Sequence, residues 1–142
     1  MKDIHSNIHT VQVVAPVSHA TGDAAIVGNI VDRANFDSLE YSINLGANAA
    51  TAGVYAVTLE HGDNSALSDA ATVVAPDLSG TTANASFGFG DVNKTRKLGY
   101  VGSKRYTRLT ITPTGNNGAF LMGVIAIQGD PVNAPTANPP QM

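Results

Sequence analysis

Alternation with a period of two is the feature that most limits what this chain can become. Leu39, Tyr41, Ile43 and Leu45 are apolar, and Glu40, Ser42 and Asn44 between them are polar. Successive side chains of a strand point to opposite faces, so this pattern makes a strand with one buried face. Tyr55, Val57 and Leu59 alternate with Ala56, Thr58 and Glu60, and Leu109 and Ile111 alternate with Thr110 and Thr112. Val11, Val13, Val14 and Ala15 predict an earlier strand. Residues 25–31 predict another, with Gly28 as a bulge. Short strands are expected at 71–75 and 85–89. The continuous apolar run from Phe120 to Ile127 is that of a strand buried on both faces or of a central strand.

Turn residues fall between these runs. Thr21-Gly22-Asp23, Gly46-Ala47-Asn48, Gly62-Asp63-Asn64, Pro76-Asp77, Ser79-Gly80 and Gly115-Asn116-Asn117-Gly118 all end strands. Asn, Asp and Gly tolerate positive φ, which is why they do so. No stretch carries a helical apolar stripe, and Ser65 to Val73 can hide one helical turn at most. About eight or nine strands with almost no helix predict an all-β, single-domain β-sandwich, jelly-roll-like, over residues 1–130. Residues 131–142 hold four of the seven prolines, Pro131, Pro135, Pro139 and Pro140. Proline removes a ladder donor and favours an extended path, so this segment is expected to lie outside the core, either as a disordered end or as a C-terminal arm lying along a neighbour.

A length of 142 residues suits one core. Charged residues make up only 13% of the chain, against a usual ~25%. A neutral surface of small residues suits packing against copies of itself, and a dimer is expected ahead of a trimer because twofold contacts are commonest. With no cysteine, disulfides and thiolate zinc sites are excluded. The N-terminus MKDIHSNIHT lacks the apolar run of a signal peptide, and no segment approaches the ~20 apolar residues of a membrane helix. The expectation is a soluble protein made in the cytoplasm, with no membrane partner.

Charge is unevenly spread. The run KTRKLGYVGSKRYTRLTI, Lys94 to Ile111, holds Lys94, Arg96, Lys97, Lys104, Arg105 and Arg108, six of the eight cations, while all eleven acids lie elsewhere. Such a run usually meets something acidic. Tyr100, Tyr106 and Arg108 add residue types favoured at protein interfaces. A protein partner leads among the readings; a solvated or internally paired face and an anionic ligand stay open. A nucleic-acid role is disfavoured by a pI of about 5.7, against pI > 9 for typical nucleic-acid modules. The candidate interface is therefore Lys94, Arg96, Lys97, Tyr100, Lys104, Arg105, Tyr106 and Arg108, with the arm prolines.

No constellation carries a reaction. On a helix His5 and His9 could hold zinc from one face, but the following residues read as strand, where they stand ~13 Å apart, and no third ligand lies nearby. His61-Gly62-Asp63-Asn64-Ser65 lacks the strained elbow of a nucleophilic serine. Asp63 and Asp69 lack the ligand spacing of a calcium loop. Glu40 and Glu60 occupy the polar phase of their strands, which does not raise a carboxylate pKa. Gly88 and Gly90 in FGFG form no phosphate loop. No catalytic, cofactor or metal residue is assigned, and no enzyme activity is expected. A carbohydrate-binding module is an alternative, although the chain has no Trp and only 6% aromatics from which to build a sugar platform.

Several pieces together resemble a known family. The order MKDIHSNI, FDSLEYSINLG, LEHGDN, GYVGSKRYTRLTI and a Pro-rich tail is similar to that of small virion proteins of tailed bacteriophages, encoded near the major capsid protein. The likeness spans Met1 to Pro140. It implies a capsid decoration, or cement, protein that binds the exterior of the expanded head as its virion location, with the major capsid protein as partner. A tail component is the broader alternative. The resemblance implies no catalytic residue and no cofactor.

Overall fold

A computed structural model of the chain describes residues 2–139. Eleven strands follow one another: β1 (Ile8–His19), β2 (Ile26–Val27), β3 (Val31–Asp32), β4 (Phe36–Asn48), β5 (Val54–Gly62), β6 (Ala71–Thr72), β7 (Leu78–Ser79), β8 (Phe87–Gly88), β9 (Thr95–Tyr100), β10 (Tyr106–Thr114) and β11 (Phe120–Pro131). One short α-helix, α1 (Thr82–Ala85), lies between β7 and β8, and 3-10 turns cover His5–Asn7 and Ala75–Asp77 among the described residues. The first sheet has the order β1-β11-β4-β9-β7 and the second β2-β10-β5-β6, with β3 also on β10 and β8 also on β5. Every pairing is antiparallel.

The order of pairing identifies the architecture. The first strand pairs with the last, β2 and β3 with β10, β4 with β9, and β5 with β6 and β8. A long hairpin rolled onto itself gives this nesting, so the sandwich is a jelly roll. The expected all-β sandwich is what the chain adopts.

The apolar phases of the alternating strands meet between the sheets. Tyr41, Ile43, Leu98 and Met122 from one side face Tyr55, Leu59, Leu109 and Ile111 from the other, and all are buried. β11 sits between β1 and β4 as a central strand, buried on its inner face while Leu121 and Ile125 of its apolar run stay exposed on the outer one.

Three expectations change. The strand expected over 25–31 is two short pieces, because the chain crosses the core edge at Gly28. There Gly28 N–H donates to Leu109 O at 2.9 Å and Asn29 N–H donates to Val13 O at 3.0 Å. A Cβ on Gly28 would lie 2.5 Å from Val13 Cγ1 and 2.7 Å from Leu109 O, so close approach and not a bulge demands the glycine. Residues 65–70 form turns and no helical turn, with Leu67 held at φ 54°, and the chain then enters β6. The helical turn lies instead at α1, within the region between the expected strands, capped where Thr81 Oγ1 accepts from Asn84 N–H at 3.1 Å.

Candidate partner interface

The basic run crosses from one sheet to the other, so its cations form no single patch. Lys94 precedes β9, and Arg96 and Lys97 lie on it, in the first sheet. Lys104 and Arg105 lie in the following loop, and Tyr106 and Arg108 on β10 in the second sheet. Five of the six cations are paired within the chain. Lys94 Nζ and Arg96 Nη2 share Asp91 Oδ1, each at 3.1 Å. Lys104 Nζ meets Asp63 at 2.6 Å, Arg105 Nε meets Asp32 at 2.9 Å, and Arg108 meets Glu60 across the β10–β5 ladder at 2.5 Å. Exposed pairs of this kind contribute only ~0–1 kcal/mol each. Their effect on the acids is visible: the bond from Lys104 holds the Asp63 carboxyl below the usual range, and the bond from Arg105 does the same for Asp32.

The loop that carries Lys104 and Arg105 is held from below. Arg33, outside the basic run, donates through Nη1 to Gly102 O at 3.2 Å and Lys104 O at 2.6 Å. Its guanidinium lies 4.7 Å from the centre of the Tyr100 ring. Tyr100 itself is 1% exposed. Its hydroxyl accepts from Lys104 N–H at 3.0 Å and is hydrogen-bonded to His61 Nδ1 at 2.8 Å. Tyr100 is therefore a core residue that shapes the loop, and it is corrected out of the candidate interface. Arg96, Leu98 and Tyr100 share the inward phase of β9, and that alternation was the signal available for it. Tyr106 remains half-exposed beneath the Arg105 guanidinium, 5.1 Å from its ring centre.

Lys97 differs from the other cations of the run: it closes no ion pair among the described residues. It stands on the outer face of β9, opposite Ser42 of β4 and diagonal to Glu40. Burial raises the Glu40 pKa, and Lys97 pulls it partly back. A groove of about 650 Å³ opens here, bounded by Glu40, Ser42, Thr95 and Lys97 on the strands and by Ser79 to Asn84 opposite.

Outward from β9, the first sheet presents three registered rows. Gln12, Ile125, Ser42 and Lys97 form one; Thr10, Ile127, Glu40 and Gly99 the next; Gly123, Asn44 and Thr95 a third. Ile125 is 41% exposed, and Leu121 farther along β11 is 45% exposed. Lys97 and Glu40 are the only charges in these rows, and both lie toward the β9 side.

Over its described residues the arm lies against its own chain. Asp130 takes φ 50° at the start of the tail, and Val132 N–H donates to Asn35 O at 2.9 Å. Thr136 N–H donates to Ser6 O at 3.0 Å, and the Thr136 hydroxyl donates to Ile8 O. The tail thus runs beside the start of β1 in its own chain. It walls a cleft of about 610 Å³ with Pro131 and Pro135, over His9, Phe36 and Gln128. Pro139 is exposed, and Pro140 lies outside the described residues. Among the described residues no group of three or more His, Asp or Glu is placed to hold a metal, and no helix is long and apolar enough to cross a membrane.

No protein-family model matches this chain, and no curated protein matches it. Solved structures do match in shape. A chain of infectious bursal disease virus, Gt strain, superposes with a TM-score of 0.50 at 11% identity, over 90% of this chain and 33% of that one. The SPBc2 prophage-derived protein YomS matches with a TM-score of 0.44 at 13% identity, over 87% of this chain and 94% of that one. The CBM22-1-GH10 modules of a Clostridium thermocellum endo-1,4-beta-D-xylanase, complexed with xylohexaose, match with a TM-score of 0.43 at 10% identity, over 95% of this chain and 29% of that one. At these identities the likeness is one of fold.

Proposed function

We propose that this chain is a structural virion protein that binds the outer surface of a major capsid shell and stabilises it, in homo-oligomeric form. The observation that carries the reading is the outer face of the first sheet. Its rows combine Ile125 and Ile127 with Thr10, Gln12, Ser42 and Asn44, and its ionic groups stand to one side. Such a face costs little to desolvate, because few charges must leave water. It fits a protein surface of matching shape better than a small ligand.

Two further points support the reading. The ordered pieces from Met1 to Pro140 resemble phage virion proteins, and the viral chain at TM-score 0.50 has the same kind of fold. The basic run contributes less than its composition suggests, since five of its cations are already paired within the chain.

The test is attachment. Purified protein is mixed with expanded phage heads that lack it, sedimented, and imaged by electron cryo-microscopy. Regular density on the head exterior and a higher head melting temperature are expected. Ile125→Asp, on the exposed face, should abolish the density while leaving the fold intact. Heads that stay bare at saturating protein, or Ile125→Asp protein that decorates as well as wild type, would overturn the proposal.

A further inference from the structure

The two edges of the first sheet are treated differently. The β1 edge is covered: Asn29 bonds Val13 O and Gln12 O, Thr136 bonds Ser6 O and Ile8 O, and Pro16 has no N–H to offer. At the opposite end β9 is flanked by the short β7, with α1 packed nearby. β7 meets only Tyr100 and Gly99. The direction of the remaining groups follows from the ladder. Val101 N–H donates to Asp77 O on the β7 side, and Lys94 O accepts from Leu45 N–H on the β4 side. Alternation then turns the backbone groups of Thr95 and Lys97 away from β4, toward the groove where no strand lies. The edge carbonyl of Thr95 is occupied only by the Arg96 side chain, whose Nη1 donates to it at 3.1 Å.

We propose that the open edge of β9, at Thr95 to Lys97, docks an extended acidic segment of a partner protein by strand addition. An unpaired edge supplies donors and acceptors in register for such a segment. Charge selects which segment. Lys94, Arg96 and Lys97 face two carboxylates, Asp91 and Glu40, leaving one positive charge in excess, on a chain whose net charge is −3. Lysine on an edge also guards against self-pairing. Two copies of this edge would oppose their own cations, so a second copy is the disfavoured occupant and an acidic strand the favoured one. The groove wall from Ser79 to Asn84 confines the added strand beside β9 and offers it hydroxyl and amide partners. The proposal refines the capsid reading and rests on it, since it assigns the type of segment by which a shell protein would be held.

The experiment uses the full chain and a fluorescent synthetic peptide alternating valine with aspartate. Companion peptides carry asparagine for aspartate, or N-methyl groups on the backbone. Anisotropy gives affinity, and amide hydrogen exchange locates the contact. The aspartate peptide should bind and slow exchange at Thr95 and Lys97. Lys97→Glu should weaken it about tenfold and Glu40→Gln should tighten it, because one change removes the attracting charge and the other a repelling one. N-methylation should abolish binding, as it removes the ladder donors. Absent binding, binding with no protection at Thr95 and Lys97, or equal affinity for the Lys97→Glu protein would each overturn the proposal. Heads that bind the protein when the peptide does not bring down the edge proposal alone. A peptide that binds with protection, beside heads that stay bare, brings down the capsid reading alone.

Discussion

Tyr41 and Thr107 connect the two sheets through one buried hydrogen bond, and breaking it has a calculable cost. Tyr41 belongs to β4 and Thr107 to β10; both are 0% exposed, and their hydroxyls lie 2.7 Å apart. Burial drives the Tyr41 pKa far above the ordinary phenol value, so the hydroxyl keeps its proton at every pH of interest. Tyr41→Phe leaves the ring in place and strands the Thr107 hydroxyl in the core. An unsatisfied buried hydroxyl costs about 1–3 kcal/mol. Thr107→Val strands the Tyr41 hydroxyl with the same penalty. The double variant removes both polar groups at nearly constant shape and should lose no more than about 1 kcal/mol. The two single effects are therefore strongly non-additive, with a coupling of at least about 1 kcal/mol that favours the matched pairs. Urea unfolding at constant m-value measures each step, and a loss of 2 kcal/mol also appears as a fall of roughly 5–10 °C in Tm. If the double variant loses the sum of the single effects, or Tyr41→Phe loses less than about 0.5 kcal/mol, the bond does not join the sheets as described.

Gly28→Ala should cost about 2 kcal/mol or more by urea unfolding, since its Cβ meets Val13 and Leu109 O at 2.5 and 2.7 Å; Gly90→Ala, with nothing within 4 Å, should change stability by less than about 0.5 kcal/mol. Asp69 accepts from the backbone N–H groups of Asp63 and Asn64, and these bonds hold its carboxyl below the usual range. A depressed carboxylate stabilises the fold above its unfolded pKa, and the gain disappears as pH falls through the folded value. Asp69→Asn should therefore flatten the acid limb of a stability–pH profile below about pH 4, and an unchanged limb refutes the assignment. Deletion of Asn133 to Met142 removes both Thr136 bonds to the start of β1 and should cost about 1–3 kcal/mol while leaving the β-sheet circular dichroism intact. A deletion that unfolds the protein would make the tail part of the core.

Alternation made the central strands legible because one residue type marks one face. Leu39 to Leu45 and Tyr55 to Leu59 point where the period placed them, and Glu40 and Thr58 stand on the opposite faces. Positions whose residue depends on distant backbone were not legible. Gly28 is a crossing point only because Val13 and Leu109 approach it. The turns at 65–70 depend on Asp69 reaching back to Asp63 and Asn64. The basic run was legible as composition but not as a surface. Lys104, Arg105 and Arg108 find Asp63, Asp32 and Glu60 on other strands, and only the fold brings those acids to them. Arg33, the residue that organises the loop, stands far from the run in sequence and carried no local mark. The Thr81 cap with Asn84 was readable in principle, and the strand expected at 85–89 hid it.

Nested pairing also dictates when the molecule can become whole. The second sheet needs nothing beyond Thr114: β2, β3, β5, β6, β8 and β10 are all present by then. The first sheet has no middle until β11 arrives, because β1 and β4 touch it and not each other. β1 therefore cannot enter its ladder until β11 has been made. Long-range pairing of this sort is slow and leaves strand edges exposed meanwhile. Pro16 and the register shifts of β1 between Gln12 and Val17 roughen that waiting strand against premature partners. A chain stopped between Thr114 and Phe120 would hold the strands of the second sheet but lack the β11 that joins β1 to β4.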